Sequence, residues 1–107
     1  MKLRVYIAGP YSGGDQCLNV RNAINAAELV VKLGGTPYIP HLNHLWELIS
    51  VHSYDFWLEQ DMEWLKLCHV FFRLPGESKG ADIEEEAAQR HGLTICKTLD
   101  ELEKALK

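Results

Sequence analysis

Two acidic residues fall on the apolar side of their helices. On a wheel of about 100° per residue, the stretch 54–68 gathers Trp57, Leu58, Trp64, Leu65 and Cys68 on one side, with Asp61 among them. Glu59, Glu63 and Lys66 take the opposite face. Over residues 80–91, Glu85 and Glu86 join Gln89 on the polar side, whereas Glu84 falls between Ala87 and Ala88, on the side that also holds Ile83. An unpaired buried carboxylate is costly, so each inward acid either meets a structural hydrogen bond or lines a cavity. Small neighbours leave room beside Glu84, and the macrodipole near a helix start favours its ionised form, although acids also decorate first turns without a further role. Both readings stand for both residues. If the two acids share a pocket, they suit cleavage at an anomeric carbon, where one carboxylate attacks or stabilises an oxocarbenium centre and the other handles a proton.

The elements that must hold them alternate along the chain. Residues 3–8 form a β-rich run that stops at Gly9-Pro10, and Gly13-Gly14 precede a helical pattern in which Val20, Ala23, Ile24, Ala27, Val30 and Val31 should face a sheet before Gly34-Gly35 ends it. Residues 36–39 read as a second strand and 70–74 as a buried third, with the helix near 53–67 between them. The helix over 80–91 is capped by Gly92, residues 93–96 form a fourth strand, and a capping box from Thr98 to Glu101 opens a last helix with Leu99, Leu102 and Leu106 on one stripe. The stretch 40–52 is the least regular and does not read as a helix.

Strands alternating with helices imply right-handed βαβ units. The expected fold is α/β, a small doubly wound, Rossmann-like or flavodoxin-like three-layer sandwich with a four- to five-stranded parallel sheet. With 107 residues, the chain fits one domain, 1–107. In such sheets ligands bind beyond the carboxyl ends of the strands where strand order reverses, which singles out the loops 9–15, 40–52 and 74–80.

Composition narrows the partners. Apolar residues make up 47% and charged residues 24%, outside the disordered regime. The net charge of −4 supplies no basic stripe, so a nucleic-acid polymer is disfavoured while a single nucleotide is not. The first residues resemble neither a signal peptide nor a membrane span, and a cytoplasmic protein is expected. Cys17, Cys68 and Cys96 are too few for a disulfide framework and read as reduced thiols, more in keeping with core positions than with nucleophiles. His41, His44 and His52 invite a metal reading, but a well-spaced acid or thiol is missing, and neither metal nor cofactor is expected. His69 and His91 read as surface or strand-end residues, and Trp57 and Trp64 as core-facing.

The loop from Gly9 to Gly14 offers backbone N–H groups to an anion, but it is neither the dinucleotide fingerprint nor a Walker loop. Together with the runs Tyr6-Ile7-Ala8-Gly9-Pro10, Glu59-Gln60-Asp61-Met62-Glu63-Trp64-Leu65 and Ser78-Lys79-Gly80-Ala81-Asp82-Ile83-Glu84, it resembles the nucleoside 2-deoxyribosyltransferase superfamily. Within that superfamily the likeness is to the deoxynucleoside 5′-monophosphate N-glycosidase branch and small phage-type relatives, and it extends to about residue 96. The resemblance implies Glu84 as nucleophile, Asp61 as the residue that holds the sugar and manages a proton, and Tyr6 as support for Glu84. It places Gly9, Pro10, Tyr11, Ser12, Ser78 and Gly80 around the substrate, and it implies a homodimer or larger homo-oligomer. His41, His44 and Trp46 are expected to wall the nucleobase side, with Trp46 stacking.

The monophosphate branch carries arginines where this chain has Ser12 and Asp15, so a phosphate is expected to meet negative charge there. Ser78 and the Gly9 backbone still match phosphate-side positions, which leaves nucleoside and nucleotide both open. The expected activity is cleavage or transfer at an N-glycosidic bond, by hydrolase or transferase. The alternatives are a non-catalytic nucleotide-sensing domain and an N-glycosidase acting on NAD or a signalling nucleotide.

Overall fold

The computed structural model describes all residues, 1–107. Four parallel strands, β1 (Arg4–Ala8), β2 (Thr36–Tyr38), β3 (Val70–Arg73) and β4 (Thr94–Cys96), lie in the order β2-β1-β3-β4. The register pairs Tyr6 with Tyr38 on one side and with Phe71 on the other. Helix α1 (Gln16–Lys32) joins β1 to β2, α3 (Tyr54–Leu65) leads into β3, α4 (Lys79–Arg90) joins β3 to β4, and α5 (Leu99–Ala105) closes the chain. The doubly wound α/β sandwich read from the sequence is the observed architecture, with four strands.

Alternation along the strands builds two cores. Val5, Ile7, Val70, Phe72 and Cys96 face α1 and α5, where Ala23, Ala26, Ala27, Val30 and Leu102 meet them. Tyr6, Ala8 and Phe71 face the other way, against Leu65 of α3 and Ala81, Ala87 and Ala88 of α4. Strands buried on both faces read as continuous apolar runs, which is why β1 and β3 are so evident in the sequence.

Helix starts are marked by side-chain caps. Asp15 Oδ1 accepts from the Leu18 N–H at 3.0 Å, Ser78 Oγ accepts from the Ala81 N–H at 3.1 Å, and Thr98 with Glu101 forms the capping box. Gly34 and Gly92 end α1 and α4 at φ of 89° and 77°, backbone that a side chain would strain.

Several expectations about burial are corrected. The buried stripe of α1 is Ala23, Ala26, Ala27 and Val30, while Ile24 and Val31 are exposed. The alanines let the helix lie close on the sheet, and this rotates the larger side chains to the rim. Cys17 is exposed rather than in the core. Leu99 and Trp64 are also exposed, the latter stacked on Tyr38 at a centroid distance of 5.8 Å.

The stretch 40–52 is helical after all: a 3₁₀ turn at Pro40–Leu42 runs into α2 (Asn43–Ile49). Helix α2 buries no residue and turns Leu45, Leu48 and Ile49 outward, so a periodicity argument built on an inward apolar face misses it.

The edge strand β2 contains Pro37. The Thr36 N–H bonds Leu3 O at 2.9 Å, and successive residues of a strand point their N–H groups to opposite sides. The Pro37 nitrogen therefore faces outward, where it breaks no ladder bond. No helix is long and apolar enough to cross a membrane.

Candidate functional site

Strand order reverses between β1 and β3, and beyond their carboxyl ends the chain opens a cavity of about 730 Å³. Asp61 from α3 and Glu84 from α4 both line it. Gly9, Pro10, Tyr11 and Ser12 form its first-loop wall, Ser78 and Gly80 stand at the start of α4, and His41 contributes from the 3₁₀ turn.

Tyr6 lies beneath this floor, fully buried, with its hydroxyl donating to Glu84 Oε2. The β1 alternation that buries Tyr6 and Ala8 against α4 aims the phenol at that carboxylate. Burial, then the neighbouring charges of Glu84 and Asp61, holds the Tyr6 phenol well above its ordinary value, so it remains a proton donor.

Glu84 is only 8% exposed. Burial pushes its carboxyl up to about 8, against the lowering effect of the Tyr6 hydrogen bond, with Asp61 raising and Arg73 lowering it further. Desolvation therefore works against the helix macrodipole that was expected to favour an ionised Glu84. Glu84 is the sixth residue of α4, in its second turn, where the terminal field has faded and desolvation dominates. Burial likewise raises Asp61 to about 7, partly offset by Tyr38. Burial thus disfavours both charges being present at once, and the two acids titrate as a coupled pair.

Asp61 Oδ1 accepts from the Tyr38 hydroxyl and from Asn43 Nδ2, each at 3.4 Å. Its Oδ2 makes no hydrogen bond within the chain and is not among the buried atoms left without a partner. Neither Tyr38 nor Asn43 stands out in the sequence as a site residue.

The first loop is pinned by Asn19, whose Nδ2 donates to Tyr11 O at 2.9 Å and Gly13 O at 2.7 Å. Asp15 is exposed and occupied in capping α1, outside the cavity wall. Lys79 lines the cavity instead, alongside the acids Glu47 and Glu77.

The three histidines of the 40–52 stretch go to separate partners. His41 Nε2 donates to Pro10 O at 3.0 Å, burial holds its pKa below the ordinary value, and its Nδ1 is buried without a partner. His44 hydrogen-bonds the Tyr11 hydroxyl at 2.7 Å and does not line the cavity. His52 lines it while stacking on Phe56 at a centroid distance of 3.8 Å. No group of three side chains converges as a metal site.

Trp46 does not reach the cavity either. It packs edge-on against Trp57 at 4.8 Å, and Trp57, read from its period as a core residue, is the tryptophan on the cavity wall. Glu47 fixes this arrangement: its Oε1 accepts from the Trp57 indole N–H at 2.7 Å and the His52 backbone N–H at 2.8 Å. The exchange of roles follows from α2, whose helical turn carries Trp46 away from the cavity while Glu47 ties Trp57 to its wall.

Among solved structures the chain is similar to a 2-deoxyribosyltransferase from the psychrotolerant bacterium Bacillus psychrosaccharolyticus, with 23% sequence identity and a TM-score of 0.67. The match covers 86% of this chain and 69% of that one, and the likeness is one of fold. No curated protein sequence matches. A family described as "Domain of unknown function (DUF7768)" matches residues 3–98, and the chain belongs to that family.

Proposed function

We propose that this chain acts on the N-glycosidic bond of a nucleoside or nucleoside 5′-monophosphate through a covalent intermediate on Glu84. The observation that carries the reading is the placement of Asp61 and Glu84 on one cavity, with the Tyr6 hydroxyl on Glu84. The similarity in fold to a 2-deoxyribosyltransferase supports it.

The reactive form carries a single proton on the pair, held by Asp61 with Glu84 ionised; in the first step a Glu84 carboxylate oxygen bonds to C1′ while the C1′–N bond breaks and its electron pair leaves with the base. The departing base takes its proton from Asp61, which the cavity keeps partly protonated near neutral pH. Tyr6 supports the ionised form of Glu84 by donating to it. In the second step water or another base attacks C1′, Asp61 accepts the proton of the incoming group, and Glu84 departs as carboxylate. Water makes the reaction a hydrolysis, and a second base makes it a transfer.

The test is release of free base from a panel of nucleosides, nucleoside monophosphates and NAD by the native chain and by Glu84→Gln, with intact-mass detection of a sugar adduct on Glu84. Base release that is lost in Glu84→Gln, with the adduct seen only in the native chain, is the expected result. Tight binding without turnover overturns the enzymatic reading in favour of a sensing domain. Nicotinamide release from NAD alone reassigns the substrate.

A further inference from the structure

Beneath the two acids, the sheet places two tyrosines side by side. Tyr6 and Tyr38 are register partners on β1 and β2, with ring centroids 5.5 Å apart. Each sends its hydroxyl to a different acid, Tyr6 to Glu84 and Tyr38 to Asp61. Tyr38 is held on both flanks, by Tyr6 and by Trp64 stacked at 5.8 Å. Asn43, at the start of α2, reaches the same Asp61 oxygen as Tyr38 does.

We infer that Tyr38 and Asn43 are positioning residues for Asp61: together they occupy Oδ1 and leave Oδ2 as the oxygen that meets the substrate. The carboxylate of a helical aspartate otherwise rotates freely about its last torsion. Two donors from two different elements, one of them wedged between aromatic rings, select a single orientation. This fixes which oxygen carries the proton that the mechanism moves, since an oxygen already accepting two hydrogen bonds is the poorer site for it. The inference rests on the reading of Asp61 as the proton-handling acid.

The titratable groups facing Asp61 come from three elements: Tyr6 on β1, Tyr38 on β2 and Glu84 on α4. Glu47, His52, Glu77 and Lys79 stand elsewhere on the cavity wall. Burial and the Asp61 charge push the Tyr38 phenol up to about 12, so it remains a donor throughout the range in which Asp61 titrates.

The experiment is a carboxyl-carbon NMR titration of Asp61 in the full chain, run on the native protein, Tyr38→Phe and Asn43→Ala. Losing a donor to the carboxylate favours its protonated form, so Tyr38→Phe should raise the Asp61 midpoint by about 0.5–1 unit, a three- to tenfold gain in proton affinity, and Asn43→Ala should move it in the same direction. A purely structural tyrosine would leave the midpoint in place. An unchanged midpoint in both folded variants overturns the inference, whether or not the chain releases base. Should Tyr38→Phe not fold, Asn43→Ala at the half-buried start of α2 decides alone. If base is released, both variants should lower kcat about three- to tenfold with KM little changed, and unchanged kcat alongside a shifted midpoint would also overturn the assignment to substrate.

Discussion

The Tyr6 hydroxyl donates to Glu84 Oε2 from a fully buried position, so the acid that faces the cavity is anchored from behind by the central strand. Removing that donor leaves a buried carboxylate without its one hydrogen bond from the sheet. A hydrogen bond to a charged group contributes about 1.5–3 kcal/mol, which corresponds to roughly ten- to a hundredfold in rate if it is kept through the reaction. Tyr6→Phe should lower kcat/KM by that factor and move the acidic limb of the pH–rate profile upward, measured by base release between pH 5 and 9. A profile that falls in height without moving would show that Tyr6 does not act through Glu84.

Stability should run opposite to activity at Glu84. Both carboxyls are raised by burial, to about 7 for Asp61 and about 8 for Glu84. Below the ordinary carboxylate range both are neutral whether the chain is folded or not. As pH climbs toward 8, the unfolded chain ionises first, and the fold loses stability at about 1.4 kcal/mol per unit of pKa difference. Glu84→Gln removes its share of this loss, so it should melt several degrees above the native chain at pH 8–9 and close to it at pH 4–5, by thermal denaturation. Equal melting temperatures at high pH would contradict the desolvated carboxylate.

The first loop allows a paired test of packing. A Cβ on Gly9 would stand 2.8 Å from Leu74 Cβ, whereas one on Gly13 would meet nothing within 4 Å. Gly9→Ala should cost about 1–3 kcal/mol through displacement of Leu74, and Gly13→Ala should stay within about 0.5 kcal/mol. Urea denaturation of the two variants reads the contrast directly.

Glu47 gathers the segment after α2 onto α3 through the His52 and Trp57 N–H groups. With Glu47→Ala the His52 amide should exchange with solvent at least about tenfold faster, while amides of β1 keep their protection. Unchanged exchange at His52 would show that the aromatic cluster alone holds this wall.

The alternating pattern of the fold was legible because β1 and β3 are continuous apolar runs and the last helix opens with a capping box at Thr98. Asp61 and Glu84 could be singled out because an inward acid breaks helical periodicity. Tyr38 and Asn43 could not, since their place beside Asp61 depends on the β1–β2 register and on the angle of a seven-residue helix. The Trp46 and Trp57 roles were exchanged because the 40–52 stretch does not read as a helix, which hides the turn that carries Trp46 off the cavity, and because periodicity places Trp57 by face without showing that this face borders a cavity. The desolvation that works against an ionised Glu84 was not legible, because a helix end is visible in a sequence and burial is not.

Pro37 sits on the rim of the sheet with its nitrogen turned outward. An incoming strand that tried to extend the sheet past β2 would find one amide donor missing at the middle of a three-residue template, and fibrillar growth from that side is discouraged in the native state.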